Sequence, residues 1–206
     1  MHNHINKYID IKYFLDIIKY RRITLTNIDN WDDKNDVYSI KKYIIAKKAK
    51  TALASCFTQK SDKYHFWKTY TNCDQGVRIT FNKSRILDNL NNISDIHYSD
   101  VKYCIIKNLK NVSEDDLPFL KRRHYSDEKE FRIIKLFHDD VVANLFYINI
   151  DIDAIEEIVF NPWINDIMYD EFKSIIKYKY GLNRVEILKT GIIDFKYWKN
   201  AIDNIR

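Results

Sequence analysis

The stretch "YSDEKEFRII", residues 125–134, sets two glutamates two positions apart and an arginine two further on, at the mouth of an apolar run. Residues i, i+2 and i+4 of a strand share a face. Glu128, Glu130 and Arg132 are therefore expected to project together while Phe131 and Ile133 enter the core. A carboxylate pair so placed suits acid–base work, or stabilisation of positive charge developing on a sugar. It equally suits a solvated strand edge, on which a glutamate pairs with Arg132 or a lysine.

Two further stretches carry residues of interest. In "SCFTQKSDKYHFWKTYTNCDQGVRITF", residues 55–81, Trp67 and Tyr70 lie three apart on one side of a helical turn. Such aromatics either stack on a planar ligand or anchor a core. Gly76, opening the strand "VRITF", is expected to supply a positive φ. In "ITLTNIDNWDDKND", residues 23–36, the density of Asn and Asp predicts an irregular polar loop. Asp32, Asp33 or Asn35 could order a ligand there, but the spacing and closing glutamate of a calcium loop are missing. The six histidines form no HExxH pair, and no GxSxG elbow is present. Cys56 and Cys104 read as buried strand thiols. "KKAK" and "LKRRHY" read as solvated basic faces.

The elements that must position these residues are short. Ile11, Phe14, Leu15 and Ile18 recur at helical spacing behind Asp10, which is expected to cap the helix. Helices are also expected over "VYSIKKYIIAKKAKTA", "SRILDNL", "SEDDLPFLKRRHY" and "NDIMYDEFKSIIKYKY". Strands are expected at "KYI", "ITL", "LASCFT", "VRITF", "IHYSDVKYCII", "EFRIIKLF", "LFYINI", "IEEIVF" and "RVEIL". This mixture predicts an α+β fold, and with 206 residues and no proline-rich linker it predicts a single domain over 1–206.

Composition excludes several function classes. With three isolated glycines, Gly76, Gly181 and Gly191, neither a Walker loop nor a dinucleotide GxGxxG turn can form. Three cysteines without a CxxC pair suggest reduced thiols, and no apolar run reaches 18 residues. A soluble cytoplasmic protein with no membrane partner is expected. The net charge of +5 permits contact with DNA or RNA without requiring it.

The order of the three motifs resembles that of the bacterial family known as domain of unknown function 2971. Cys56, Phe57, Trp67, Tyr70, Gly76, Val77, Ile79 and Phe81 match its central motif, and Glu128, Glu130 and Arg132 match its third. Two departures stand out: "WDDKND" replaces the usual Asn-Asp-Pro-x-Glu, and Tyr125 or His124 replaces a tryptophan. A looser similarity, through "KEF" at Glu130, reaches the DarT-like mono-ADP-ribosyltransferases.

That similarity implies split antiparallel β-sheets flanked by helices, and NAD as substrate with no metal. Glu130 would be the catalytic carboxylate, with Glu128 second, setting acceptor choice. Tyr8, Arg21, Arg22, Trp67, Tyr70 and Arg132 would contact NAD. DNA, RNA or protein would be the acceptor, in a toxin or phage-defence effector with a cognate antitoxin. Glu130→Gln is then expected to abolish activity and leave the fold intact. Two other readings stand beside it: a non-catalytic nucleic-acid- or protein-binding module on the same fold, and a nuclease gathering a metal on Asp32, Asp33 and the glutamate pair.

Overall fold

A computed structural model describes residues 3–139 and 144–205; His2 lies outside them. In chain order the elements are β1 (His4–Asp10), α1 (Ile11–Tyr20), β2 (Arg22–Asn27), α2 (Lys34–Ala46) and β3 (Thr51–Thr58). Next come α3 (Tyr64–Tyr70), β4 (Gly76–Asn82), α4 (Lys83–Asp88), β5 (Ile96–Asp100), β6 (Lys102–Cys104) and β7 (Leu120–Arg122). The rest are β8 (Glu130–Phe137), β9 (Leu145–Asn149), β10 (Ile155–Phe160), α5 (Asp166–Ser174), β11 (Glu186–Lys189) and α6 (Lys196–Asp203). The fold is α+β, as expected, with mixed strand pairing.

The chain forms two compact units, each discontinuous in sequence. One comprises Met1–Ile5, Arg22–Lys60 and Lys83–Ile150; the other comprises Asn6–Arg21, Ser61–Asn82 and Asp151–Arg206. Because the chain passes between units several times, no single linker separates them.

In the first unit β2 pairs with β9 and β3, β3 with β8, and β8 with β5, all antiparallel. The strand β8 lies between β3 and β5, and its first seven residues are buried on both faces. Ile134 and Leu136 of β8 pack with Ile28, Phe119 and, from α2, Ile40 and Tyr43, forming one core. The helix α2 starts earlier than its apolar spacing suggests. The Asp33 carboxylate accepts the Asn35 amide and so caps it, turning the end of the expected polar loop into a first turn.

In the second unit β4 and β10 pair antiparallel, and β11 lies parallel to β10. The antiparallel expectation fails here because α5 carries the chain back over the sheet, a connection that returns a strand in the same direction. It fails again at the short parallel pair β6–β7. Phe14, Ile17 and Ile18 are the buried face of α1, and the Phe14 ring meets Phe160 edge to face.

Three other expectations are corrected. "SEDDLPFLKRRHY" is not one helix: 3-10 turns at Glu114–Phe119 and Arg123–Glu128 flank β7. Pro118 lies inside the first turn, and lacking an N–H it cannot continue an α-helix. "IHYSDVKYCII" splits into β5 and β6, which join different sheets. Gly76 does not have a positive φ. It is small because the Thr71 side chain occupies the place of a Cβ, held there by donating from Oγ1 to the Trp67 carbonyl at 2.6 Å.

Candidate functional site

The strand β8 begins at Glu130, so only Glu130 and Arg132 of the motif share a strand face. Glu128 ends the 3-10 turn before it, and Lys129 between them takes the left-handed conformation, φ 45. The face is buried: Glu130 is 5% exposed and Arg132 1%. The row of three expected on one strand face is replaced by an ion cluster inside the first unit.

Arg132 is its centre. Nε donates to Glu130 Oε1 at 2.7 Å, one terminal nitrogen to the Pro118 carbonyl at 2.8 Å, and the other to Asp36 Oδ2 at 2.8 Å. Its guanidinium also lies 4.9 Å from the Trp31 ring centre. One buried cation thus ties together the first turn of α2, the Pro118 turn and the start of β8. A guanidinium suits this role because its planar fork supplies donors in several directions at once.

The second cation is Lys121, on β7. Nζ lies 2.7 Å from Glu128 Oε2, 3.1 Å from Glu130 Oε2 and 3.7 Å from Asp36 Oδ2, with the Tyr125 ring 4.8 Å away. Backbone contacts fix the carboxylates further. The Glu130 amide donates to the Tyr103 hydroxyl at 2.8 Å, and the Thr58 hydroxyl donates to the Glu128 carbonyl. In the β3–β8 register Cys56 faces Arg132 and Thr58 faces Glu130.

The electrostatics follow from this packing. Burial by itself would raise the Glu130 carboxyl, but the charge and hydrogen bond of Arg132, with Lys121 behind, hold it down at about 2. Burial pushes Asp36 the other way, above the usual carboxylate range, against the pull of Arg132 and Lys121. Burial would lower Lys121, yet the neighbouring Glu130 and Glu128 carry it upward. Burial raises the Tyr103 hydroxyl, which stays protonated at neutral pH.

The remaining expected site residues are elsewhere. Trp67 is fully buried, its Nε1 donating to Asp62 at 2.6 Å, in a core cluster with Tyr8, Phe66 and Val159 of the second unit. The ring of Tyr8 meets those of Phe66 and Trp67 edge to face. Neither ring is open to stack on nicotinamide, because each is spent on core packing. Tyr70 is half-exposed beside Phe66. Arg21 terminates α1 in the left-handed conformation, and Arg22 opens β2 with its guanidinium 3.6 Å over the Tyr147 ring. Asp33 caps α2 and Asp32 is exposed. No group of His, Cys, Asp and Glu suited to a metal occurs among the described residues.

Sequence reading missed Lys121, Asp36 and Tyr103. "LKRRHY" looks like a solvated basic run, yet Lys121 faces the cluster. For Asp36 a signal existed: it shares the buried face of α2 with Val37, Ile40 and Tyr43. That spacing marks it once the helix is started at Asp33.

No protein-family model matches the chain, and no curated protein matches it in sequence. Among the described residues, no helix is long and apolar enough to cross a membrane.

Proposed function

We propose that the protein consumes NAD, transferring ADP-ribose to an acceptor or hydrolysing the nicotinamide–ribose bond. The supporting observation is the charge of the cluster. Asp36, Glu128 and Glu130 meet Lys121 and Arg132, so carboxylates outnumber cations by one. A cation arriving beside them is stabilised by charge already held in place, with little reorganisation.

Cleavage of the glycosidic bond needs that property. Nicotinamide departs as a neutral base with the bonding electron pair, and C1′ of the ribose takes on oxocarbenium character. An acceptor oxygen or nitrogen, or the oxygen of water, then bonds to C1′ and gives up its proton to the Glu128 carboxylate. Glu128 is the carboxylate assigned to the ribose side, since its side chain is 13% exposed against 5% for Glu130 and Asp36. Glu130, ionised and held by Arg132, supplies fixed negative charge behind it. Unchecked, such turnover would deplete NAD or modify an acceptor, and expression would be toxic to a host.

The test is turnover of labelled NAD by the purified chain, with separate pools of DNA, RNA and protein. Transfer of label to one pool, or nicotinamide release, that falls at least a hundredfold in Glu128→Gln with unchanged melting temperature supports the reading. Wild-type turnover retained in Glu128→Gln removes Glu128 from the chemistry, and no turnover by the wild-type chain overturns the proposal.

The mutual saturation of Glu130 and Arg132 favours a second reading, a binding module in which the cluster is a structural clasp. Nucleic-acid binding that weakens steeply with salt, without NAD turnover, would establish it.

A further inference from the structure

A cavity of about 390 Å3 opens in the first unit, lined by Tyr103, Ile105, Asn108, Arg123, Ser126 and Lys129. Its lining holds two cations and no acid. Among the described residues neither Arg123 nor Lys129 has a carboxylate within ion-pair distance. The neighbouring Lys121 and Arg122, by contrast, lie within 4 Å of carboxylates. Two cations held near one another without a counter-charge repel, and an anion between them relieves that repulsion.

The backbone places both. Arg123 opens the 3-10 turn Arg123–Glu128 and Lys129 closes it. Lys129 does so at φ 45, a conformation that glycine adopts more readily than a side-chain-bearing residue. The Lys129 carbonyl accepts the Gln59 amide at 2.9 Å, which fixes this corner to the end of β3. Tyr103 joins the cavity to the ion cluster, since its hydroxyl accepts the Glu130 amide.

We infer that this cavity binds a nucleoside phosphate, its phosphate between Arg123 and Lys129. A phosphate alone would leave much of the volume unfilled, and cavities of this size commonly take a ligand larger than an inorganic ion. The rest of the lining suits a nucleoside: Tyr103 and Ile105 give an apolar wall, while the Asn108 amide and the Ser126 hydroxyl give hydrogen bonds. Two cations on one phosphate also provide charge-assisted bonds that a neutral nucleoside cannot make. The inference stands independently of glycosidic chemistry at Glu128, because the cavity binds whether or not the cluster reacts.

Titration of the full chain with AMP, adenosine, inorganic phosphate, NAD, and a tetranucleotide with and without a 5′-phosphate tests it. AMP is expected to bind at least tenfold more tightly than adenosine. Arg123→Ala and Lys129→Gly are each expected to weaken AMP about tenfold, the effect of one lost charge-assisted contact. Lys129→Gly should leave the melting temperature unchanged or raised, since glycine suits that φ, which separates binding from folding. Preference for AMP or NAD identifies a free nucleotide. Preference for the tetranucleotide, only when phosphorylated, identifies a strand end. Equal binding of AMP and adenosine, wild-type AMP affinity in both variants, or no phosphate binding at all overturns the proposal, whatever the outcome of the NAD turnover assay.

Discussion

Arg132 is the residue on which the first unit's polar interior depends. A guanidinium that is 1% exposed needs its counter-charges, and removing one partner of a buried pair leaves the other uncompensated. Glu130→Gln is therefore expected to lower stability by about 3 kcal/mol or more, read by chemical denaturation. This reverses the sequence-based expectation that the substitution would spare the fold. An unchanged denaturation midpoint in Glu130→Gln would show that Asp36 and the Pro118 carbonyl hold Arg132 unaided. The pH dependence has a defined sign. Glu130 titrates at about 2 in the folded chain against an ordinary 4.5, so its contribution is complete above 4.5 and is lost as pH falls from there through about 2. Asp36 is shifted upward by burial, so its ionised form opposes folding and protonation removes that opposition as pH falls through its raised value. Stability should thus hold, or rise slightly, on approach to the carboxylate range and fall steeply below about pH 4.5. Melting curves across pH should show that acid limb in the wild-type chain and a shallower one in Glu130→Gln.

At the scale of elements, short devices set where helices and strands begin. Asp33 caps α2 and thereby orients Asp36 toward Arg132, so loss of the cap affects more than helix length. Asp33→Ala is expected to cost about 1 kcal/mol of stability, measured by urea denaturation. Gly76 opens β4 against the Thr71 side chain, which its bond to the Trp67 carbonyl keeps from moving aside. Gly76→Ala should destabilise by roughly 1–3 kcal/mol through overpacking, and Gly76→Ala with Thr71→Ala should recover much of it. If the double variant is no better than the single one, Gly76 is needed for a different reason.

Across the whole molecule, burial is unevenly shared. The helix α6 contributes no buried residue; Phe195 at its N-cap and Trp198 and Ile202 along it are exposed. Truncation after Asp194 is expected to change the melting temperature by no more than about 2 °C, since surface segments without buried contacts contribute little. A drop of 5 °C or more would show that this stripe packs in solution. The truncated chain should also retain AMP binding, because the cavity belongs wholly to the first unit.

Local structure was legible in the chain's own residue pattern. Period-two alternation in "VRITF" marks β4, the short apolar run "EFRIIKLF" marks β8, and helical spacing of apolar residues marks α1, because side-chain direction repeats with the element's own geometry. The α+β class follows from those elements. The importance of "EKEFR" was legible as well, from charges interrupting an apolar run. Whether those charges face water was not. That depended on Lys121, 9 residues from Glu130, and on Asp36, 96 residues from Arg132, both brought in by packing. Trp67 and Tyr8 likewise look available to a ligand until Asp62, Phe66 and Val159 are folded around them. An ion's environment is set by every element packed against it, and a sequence lists only its neighbours along the chain.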